Sequence, residues 1–488
     1  MAMRKVSIDP ITRLEGHGKI EIFLNDSGDV ENVYFQIPEL RGFEQFCVGR
    51  PVEEIPRITP RICGVCPEAH HMAGARALDG VFKVDPPPAG HMLRELLYSA
   101  FYVSDHLLHF YVLAGPDFVC GPDAPVATRN ILGVVAKVGL EIGGKVIGMR
   151  KTVNTVVQTL GGKYVHPVSC IAGGISKGIN EEQRQEFLKI ADQAIEFGEF
   201  SLKLFNDLVL GNKGYVDLIT SDGYTMKTNY MGTVDAKNKV NFYRGDLRVV
   251  SPEGKEVVKF KPQDYLQHIA ERVEPWTYLK VPYLKDIGWK GFVDGADSGV
   301  YRVAPLGRLN AADGMATPKA QEAYDQYIKT LGKPVHHTLA MHWARLIELL
   351  YAAERMKELL SDKEITSPNF RTIPTEIPHE GVGVVEAPRG TLIHHYTTDE
   401  KGIATKVNLI VATIHNYAAI AMSCRDAAKQ VIKGQKAEIS EPLLNMVEMA
   451  FRAYDPCLGC ATHTLPGQMP MTITIRDANG DVVATGGR

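Results

Sequence analysis

The chain has 488 residues, and 54 Lys and Arg against 57 Asp and Glu leave a formal net charge of −3. That balance excludes a polybasic nucleic-acid binder. A hydrophobic share of 45% beside 23% charged residues fits a soluble globular protein with a large core and excludes disorder and collagen. The first forty residues alternate as KVSIDPI and KIEIFL, and Asn25-Asp26-Ser27-Gly28 supplies turn chemistry before VENVYFQI, which predicts an N-terminal strand hairpin. Met1 to Gly18 lacks the apolar run of a secretory signal, so no signal peptide is expected. From about Pro88 the period changes, because HMLRELLYSAFYVSDHLLHFYVL is apolar almost all round and reads as a buried helix. The stretches from about Val126 to Leu160, Glu181 to Leu210 and Lys319 to Leu360 have the same character, and four long helices imply a bundle core.

Between those helices, Val216 to Lys261 is rich in Gly, Asp and Asn with short β-branched and aromatic runs, the pattern of a β-containing insertion. From Val382 the pattern turns to strands, in GVGVVEAPRGTLIHHYTT and TKVNLIVAT, then to helices near His415 to Ile432 and Glu441 to Tyr454. MTITIRDANGDVVATG at the end reads as a hairpin turning at Asn479-Gly480. The longest apolar stretch, Asn408 to Cys424, contains His415 and Asn416 and is shorter than the roughly 20 apolar residues of a membrane-spanning helix. Length allows about three domains, yet no linker, repeat or low-complexity tract divides the chain. The expectation is one mainly helical α+β body over 1–488, a long-helix bundle flanked by N- and C-terminal strands, in the cytoplasm.

Eight cysteines are too sparse for a disulfide scaffold. Four of them form two CxxC pairs, Cys63 with Cys66 in RICGVC and Cys457 with Cys460 in DPCLGC, with Cys66 and Cys457 391 positions apart. Two intervening residues let both thiolates face one metal, so two pairs make a four-sulfur site. A structural zinc site, or no shared site at all, is the plain alternative. Zinc ribbons keep their pairs much closer, however, and have no need of Arg61 before one pair and Asp455-Pro456 before the other. His70 follows Cys66 by four residues and His463 follows Cys460 by three; either suits a ligand or a donor to a thiolate.

RICGVCPEAHH with DPCLGCATH resembles the paired signatures of the nickel-iron hydrogenase large subunit. The likeness runs through the chain, because RLEGHG (Arg13 to Gly18), RGFE (Arg41 to Glu44), SDHLLHFY (Ser104 to Tyr111), EAPRG (Glu386 to Gly390) and NLIVAT (Asn408 to Thr413) stand in order around the two pairs. The resemblance implies the fold which that family shares with the quinone-module subunit of respiratory NADH dehydrogenases, together with reversible heterolytic cleavage of H2. It implies that Cys63 and Cys457 bind nickel terminally while Cys66 and Cys460 bridge it to an iron carrying two cyanides and one carbon monoxide. Arg389, next to Pro388, corresponds to the guanidinium over the metals, and Asp105 and Asp455 to the carboxylates that hold it. Arg389 and Thr413 correspond to donors to the cyanides, Glu15 to the proton relay, and His70 to a donor to a bridging thiolate. Glu44 and His463 correspond to ligands of a second site for magnesium or iron. The bland alternatives are ordinary surface ion pairs for Arg389, Asp105 and Asp455, and a turn cap for Glu15.

His106, His109, His336, His337 and His342 read as satisfied core or surface groups, and Cys47, Cys120, Cys170 and Cys424 as small buried hydrophobes. None of these cysteines forms an Fe-S signature, so electrons must leave through another polypeptide. The resemblance implies a small subunit with Fe-S clusters, extended by flavin-containing subunits. EAPRGTLIHHYTTDE and TLPGQMP look closer to cytoplasmic members linked to NAD, ferredoxin or heterodisulfide reductase than to the membrane-anchored uptake type. GGISKG (Gly173 to Gly178) matches no dinucleotide or phosphate loop, which puts any NAD on another polypeptide. Family precursors are cut by a maturation protease after the histidine that follows the second pair, here His463, making 464–488 an expected cleavable extension. Two other readings compete: a metal-free quinone-module paralogue, which would have lost the cysteines, and a non-catalytic zinc scaffold.

Overall fold

The computed structural model describes residues 4–376, 379–434 and 439–462, and the backbone of 472–476 and 482–487. Three antiparallel strands open the chain, β1 (Arg4–Ile8), β2 (Lys19–Leu24) and β3 (Val30–Gln36), in the order 1-2-3. Every second residue of β2 is buried, as its alternation requires. Helix α1 (Pro67–Val81) begins at the first cysteine pair with proline at its first position. Helix α2 (Pro88–Leu108) continues as a π-helical turn over His109–Ala114. The expected helix over Val126 to Leu160 is two, α3 (Ile131–Val138) and α4 (Leu140–Gly161), broken at Gly139. Helix α5 (Glu181–Phe205) starts on a capping box of Asn180 and Gln183.

Strands β4 (Asn229–Val234), β5 (Asp246–Val250) and β6 (Glu256–Phe260) form an antiparallel meander, which β7 (Tyr301–Arg302) joins in parallel beside β4. Helix α6 (Ala304–Ala311) follows. The helix expected over Lys319 to Leu360 is also two, α7 (Pro318–Leu331) and α8 (Met341–Ser361). Gly332, at φ 83°, and Pro334 stop the first: glycine adopts the left-handed end of a helix without strain, and proline cannot continue one. The tail of the fold is a second meander, β8 (Glu380–Ala387), β9 (Gly390–Thr398) and β10 (Ala404–Ile410), then α9 (Tyr417–Val431), α10 (Glu441–Arg452) and the single turn α11 (Leu458–Ala461). Strands β11 (Thr472–Arg476) and β12 (Val482–Gly487) pair as the expected final hairpin; its turn lies outside the described residues.

Helix α8 is the axis of the bundle, packed on α5 and α2, while α2 also packs on α4. Seventeen of its twenty-one residues are buried, so it is enclosed by protein on nearly all sides. Helix α1 lies across β8 and β9, and α9 joins the N-terminal sheet through β3. Among the described residues no helix is long and apolar enough to cross a membrane.

Candidate metal centre

The fold brings the two cysteine pairs together in the interior. The Sγ atoms of Cys63, Cys66, Cys457 and Cys460 all lie within 4.8 Å of one another. Cys63 stands 3.2 Å from Cys457, and Cys66 3.3 Å from Cys460. Cys66 sits at the N-terminal end of α1, and the backbone N–H groups of Val65 and Cys66 donate to the Cys63 sulfur at 3.1 and 3.4 Å. Neighbouring thiols, Cys457 foremost, push the Cys63 thiol well below its ordinary range, whereas burial pushes Cys457 and Cys460 well above it. Ionising one thiol thus hinders ionisation of its neighbours. A cation between them is what lets all four ionise.

Two distant segments fix this geometry. The RLEGH loop pairs with the second cysteine segment as an isolated parallel bridge between Glu15 and Cys457, with Leu458 N–H donating to the Glu15 carbonyl at 2.9 Å. The Glu15 carboxylate, at Oε2, takes hydrogen bonds from the Cys457 thiol and from Gly459 N–H, each at 2.9 Å. Burial, then the nearby Cys63 charge, raises its pKa. The turn-cap alternative for Glu15 therefore fails, since its side chain reaches the cysteine rather than its own loop. Arg41, whose role the sequence did not disclose, donates to the carbonyls of Ile62 and Gly459 at 2.5 and 3.0 Å, clamping the flanks of both pairs.

Arg389, on the turn between β8 and β9, is 2% exposed. Its Nη1 lies 3.0 Å from Asp105 Oδ2 and its Nη2 2.9 Å from Asp455 Oδ2. Both carboxylates are buried, which rules out the surface-pair alternative. Burial works against the arginine's charge, but Asp105 and Asp455 outweigh it and hold the guanidinium protonated. Burial lifts Asp455 to about 7 against the pull of Arg389. Arg389 Nε has no partner among the described residues. Pro388 carries the arginine's backbone, and Arg308, a second residue without a sequence signal, donates to the Ala387 and Pro388 carbonyls at 2.8 and 3.1 Å. Arg308 is itself held by Glu348 and Glu386.

Thr413 accepts a hydrogen bond from Cys457 N–H at 3.0 Å, which leaves its hydroxyl proton for another acceptor. His70 Nε2 lies 3.5 Å from Cys460 Sγ. Glu44 is half-buried against β10, accepts from Leu409 N–H at 2.6 Å, and is raised by desolvation to about 7; His463 lies outside the described residues. Cys47, Cys120, Cys170 and Cys424 are buried and unpaired by disulfides, as expected. The histidines are a partial correction. His106 meets Glu348 at 3.0 Å and His109 the Arg452 carbonyl at 2.9 Å, but Nδ1 of His106, His109 and His342 has no partner among the described residues.

The donor set fits a nickel-iron group: four soft thiols, a buried guanidinium with an uncommitted Nε–H, and one free hydroxyl proton. The profile of the nickel-dependent hydrogenase family matches residues 41–129 and 295–463, and a HoxL-like profile matches residues 5–40. The chain is 49% identical to an F420-non-reducing hydrogenase iron-sulfur subunit of Archaeoglobus profundus, over 99% of each chain. It is 37% identical to the beta subunit of the NAD-reducing hydrogenase HoxS of Cupriavidus necator, over 98% of this chain and 99% of that one. The crystal structure of an NAD+-reducing [NiFe]-hydrogenase in the H2-reduced state superposes with a TM-score of 0.88 at 37% identity, covering 95% of this chain and all of the other. The chain belongs to the nickel-dependent hydrogenase family. It is a hydrogenase catalytic subunit, and neither the metal-free paralogue nor the zinc scaffold accounts for four converging thiols beside a buried arginine.

Proposed function

We propose that Cys63 and Cys457 bind nickel terminally and that Cys66 and Cys460 bridge it to an iron carrying two cyanides and one carbon monoxide. Thiolates suit a redox-active late transition metal. When bound, this centre supplies the Lewis acidity and electron capacity for splitting H2 into two protons and two electrons. The observation that carries the reading is the buried convergence of four thiols on a guanidinium whose Nε–H is uncommitted.

The chain's own groups then divide the work. Arg389 supplies a charged donor and Thr413 a neutral one to the anionic cyanides, whose burial without donors would be costly. Asp105 and Asp455 hold the guanidinium in place, and Pro388 fixes the backbone that presents it. Glu15 takes a proton from the Cys457 sulfur at Oε2; its raised pKa suits a group that must also release it. His70 donates to the Cys460 sulfur. Glu44, with His463, holds magnesium or iron(II), a hard cation suited to a carboxylate oxygen. Electrons leave through a small subunit with Fe-S clusters and then flavin and Fe-S subunits using NAD or ferredoxin, or a heterodisulfide reductase. The likeness to NAD-reducing and F420-non-reducing enzymes supports cytoplasmic carriers of that kind. Cleavage after His463 by a maturation protease removes 464–488.

Metal analysis with infrared spectroscopy of the purified complex tests this. The expected result is stoichiometric nickel with one carbonyl and two cyanide bands, all lost in Cys66→Ala or Cys460→Ala. Zinc without such bands, in a chain whose C-terminal peptide mass shows cleavage after His463, would overturn it.

A further inference from the structure

His70 is the first of three buried groups in a row, and the other two belong to a different element. Its Nδ1 lies 3.2 Å from Nε2 of His394, and His394 Nδ1 lies 2.6 Å from the hydroxyl of Tyr396. All three side chains are fully buried. His394 and Tyr396 are two apart on β9, so they point to the same face, the one that packs on α1. Cys66, His70 and Gly74 are spaced by four at the start of and along α1 and share a stripe of that helix. Gly74 makes room for the last member: a Cβ there would stand 3.1 Å from the Tyr396 hydroxyl and equally close to Pro56. Strand and helix thus build a row from Tyr396 through His394 and His70 to Cys460.

The direction of this row is fixed from the sulfur end. A cysteine sulfur committed to metals carries no proton and can only accept, so His70 must present Nε2–H to Cys460. In that neutral tautomer His70 Nδ1 is an acceptor, which requires Nε2–H on His394. His394 Nδ1 is then an acceptor in turn, and the Tyr396 hydroxyl stands ready to donate to it at 2.6 Å. The opposite polarity would aim a bare imidazole lone pair at a thiolate. Each donor polarises the next in a buried chain, so the terminal hydroxyl strengthens the bond to sulfur.

We infer that His394 and Tyr396 are positioning residues for the hydrogenase centre: the Tyr396 hydroxyl fixes, through His394, the tautomer in which His70 donates to the Cys460 sulfur. The inference rests on the His70 role proposed above and adds the two residues that enforce it. A metal-bound thiolate that receives a weaker hydrogen bond leaves more electron density on its metal, and carbon monoxide on that metal reports this as a lower stretching frequency.

The test compares carbonyl band positions in the holoenzyme complex for wild type, Tyr396→Phe, His70→Ala and the double variant, with nickel content measured in each. Phenylalanine keeps the ring and removes only the donor. The expected outcome is full nickel loading in Tyr396→Phe, a shift to lower wavenumber smaller than that of His70→Ala, and no added shift when Tyr396→Phe is placed on His70→Ala. An unmoved band in Tyr396→Phe beside a shifted one in His70→Ala overturns the inference and leaves the His70 role standing. Unmoved bands in both overturn both. Loss of nickel from Tyr396→Phe alone, or additive shifts in the double variant, would make Tyr396 a packing residue and also overturn the inference.

Discussion

Glu15 is held at two points, by its backbone to Leu458 and by its carboxylate to Cys457 and Gly459. That is why a loop near the N-terminus can place a carboxyl against a cysteine from the far end of the chain. Glutamine at this position keeps the size and an acceptor oxygen for Gly459 N–H, yet it cannot take a proton from sulfur and pass it on. Glu15→Gln is therefore expected to retain nickel and iron while H2/D2O exchange slows roughly a hundredfold, the scale of a lost general acid-base group. Mass spectrometry of the evolved HD checks it, and exchange at the wild-type rate would remove Glu15 from the proton path. Arg389 stands in contrast, because two buried carboxylates depend on its charge. Removing one partner of such a buried set costs about 3–5 kcal/mol, so activity losses there mix catalysis with stability, whereas those at Glu15 do not.

At the scale of elements, α1 and β8 approach more closely than any side chain would allow. A Cβ at Gly383 would stand 2.0 Å from the Ala73 carbonyl oxygen and 2.4 Å from Ala77 N, and one at Gly381 2.2 Å from the Ala77 carbonyl. The helix that presents Cys66 and His70 thus rests directly on the strand that leads to Arg389. Gly383→Ala must push them apart; overpacking typically costs about 1–3 kcal/mol, and backbone neighbours cannot rotate away. A lowered melting temperature with reduced nickel content is expected, and an unchanged value of both would show that the contact yields freely. The same elements mark how far sequence reasoning reaches. Alternation located the N-terminal strands, the change of pattern from Val382 located the strands of the second meander, and helical apolar character located α2 and α5. The single helix expected over Lys319 to Leu360 is two, because Gly332 and Pro334 end α7 although apolar residues continue on both sides of them. The cysteine pairs were legible as fixed spacings on single turns. Arg41, Arg308 and His394 were not, since each acquires its role from a partner tens to hundreds of residues away that no local spacing signals, and Tyr396 reaches the site only through His394.

Across the whole molecule, the centre lies where the two ends of the chain meet. Besides the Glu15 bridge, Thr12 donates its N–H and hydroxyl to Glu448 at 2.9 and 3.0 Å, Arg452 donates to the Thr12 carbonyl at 3.3 Å, and Arg41 N–H donates to the Thr462 carbonyl at 3.0 Å. The long helices α2 and α5 both pack on α8 without using any cysteine. Metal bound by thiolates from both ends stabilises the native state only through what the cysteines tether. Metal loss should therefore loosen the meeting of the ends and leave the bundle intact. In hydrogen exchange of the metal-loaded and metal-free complex, faster exchange is expected for residues 12–18, 41–66 and 452–462, with little change in α2, α5 and α8. Equal acceleration throughout would mean that the metals and the bundle fold as one cooperative unit. Protection unchanged at 452–462 would mean that the hydrogen bonds around Glu15 and Arg41 hold the ends together by themselves.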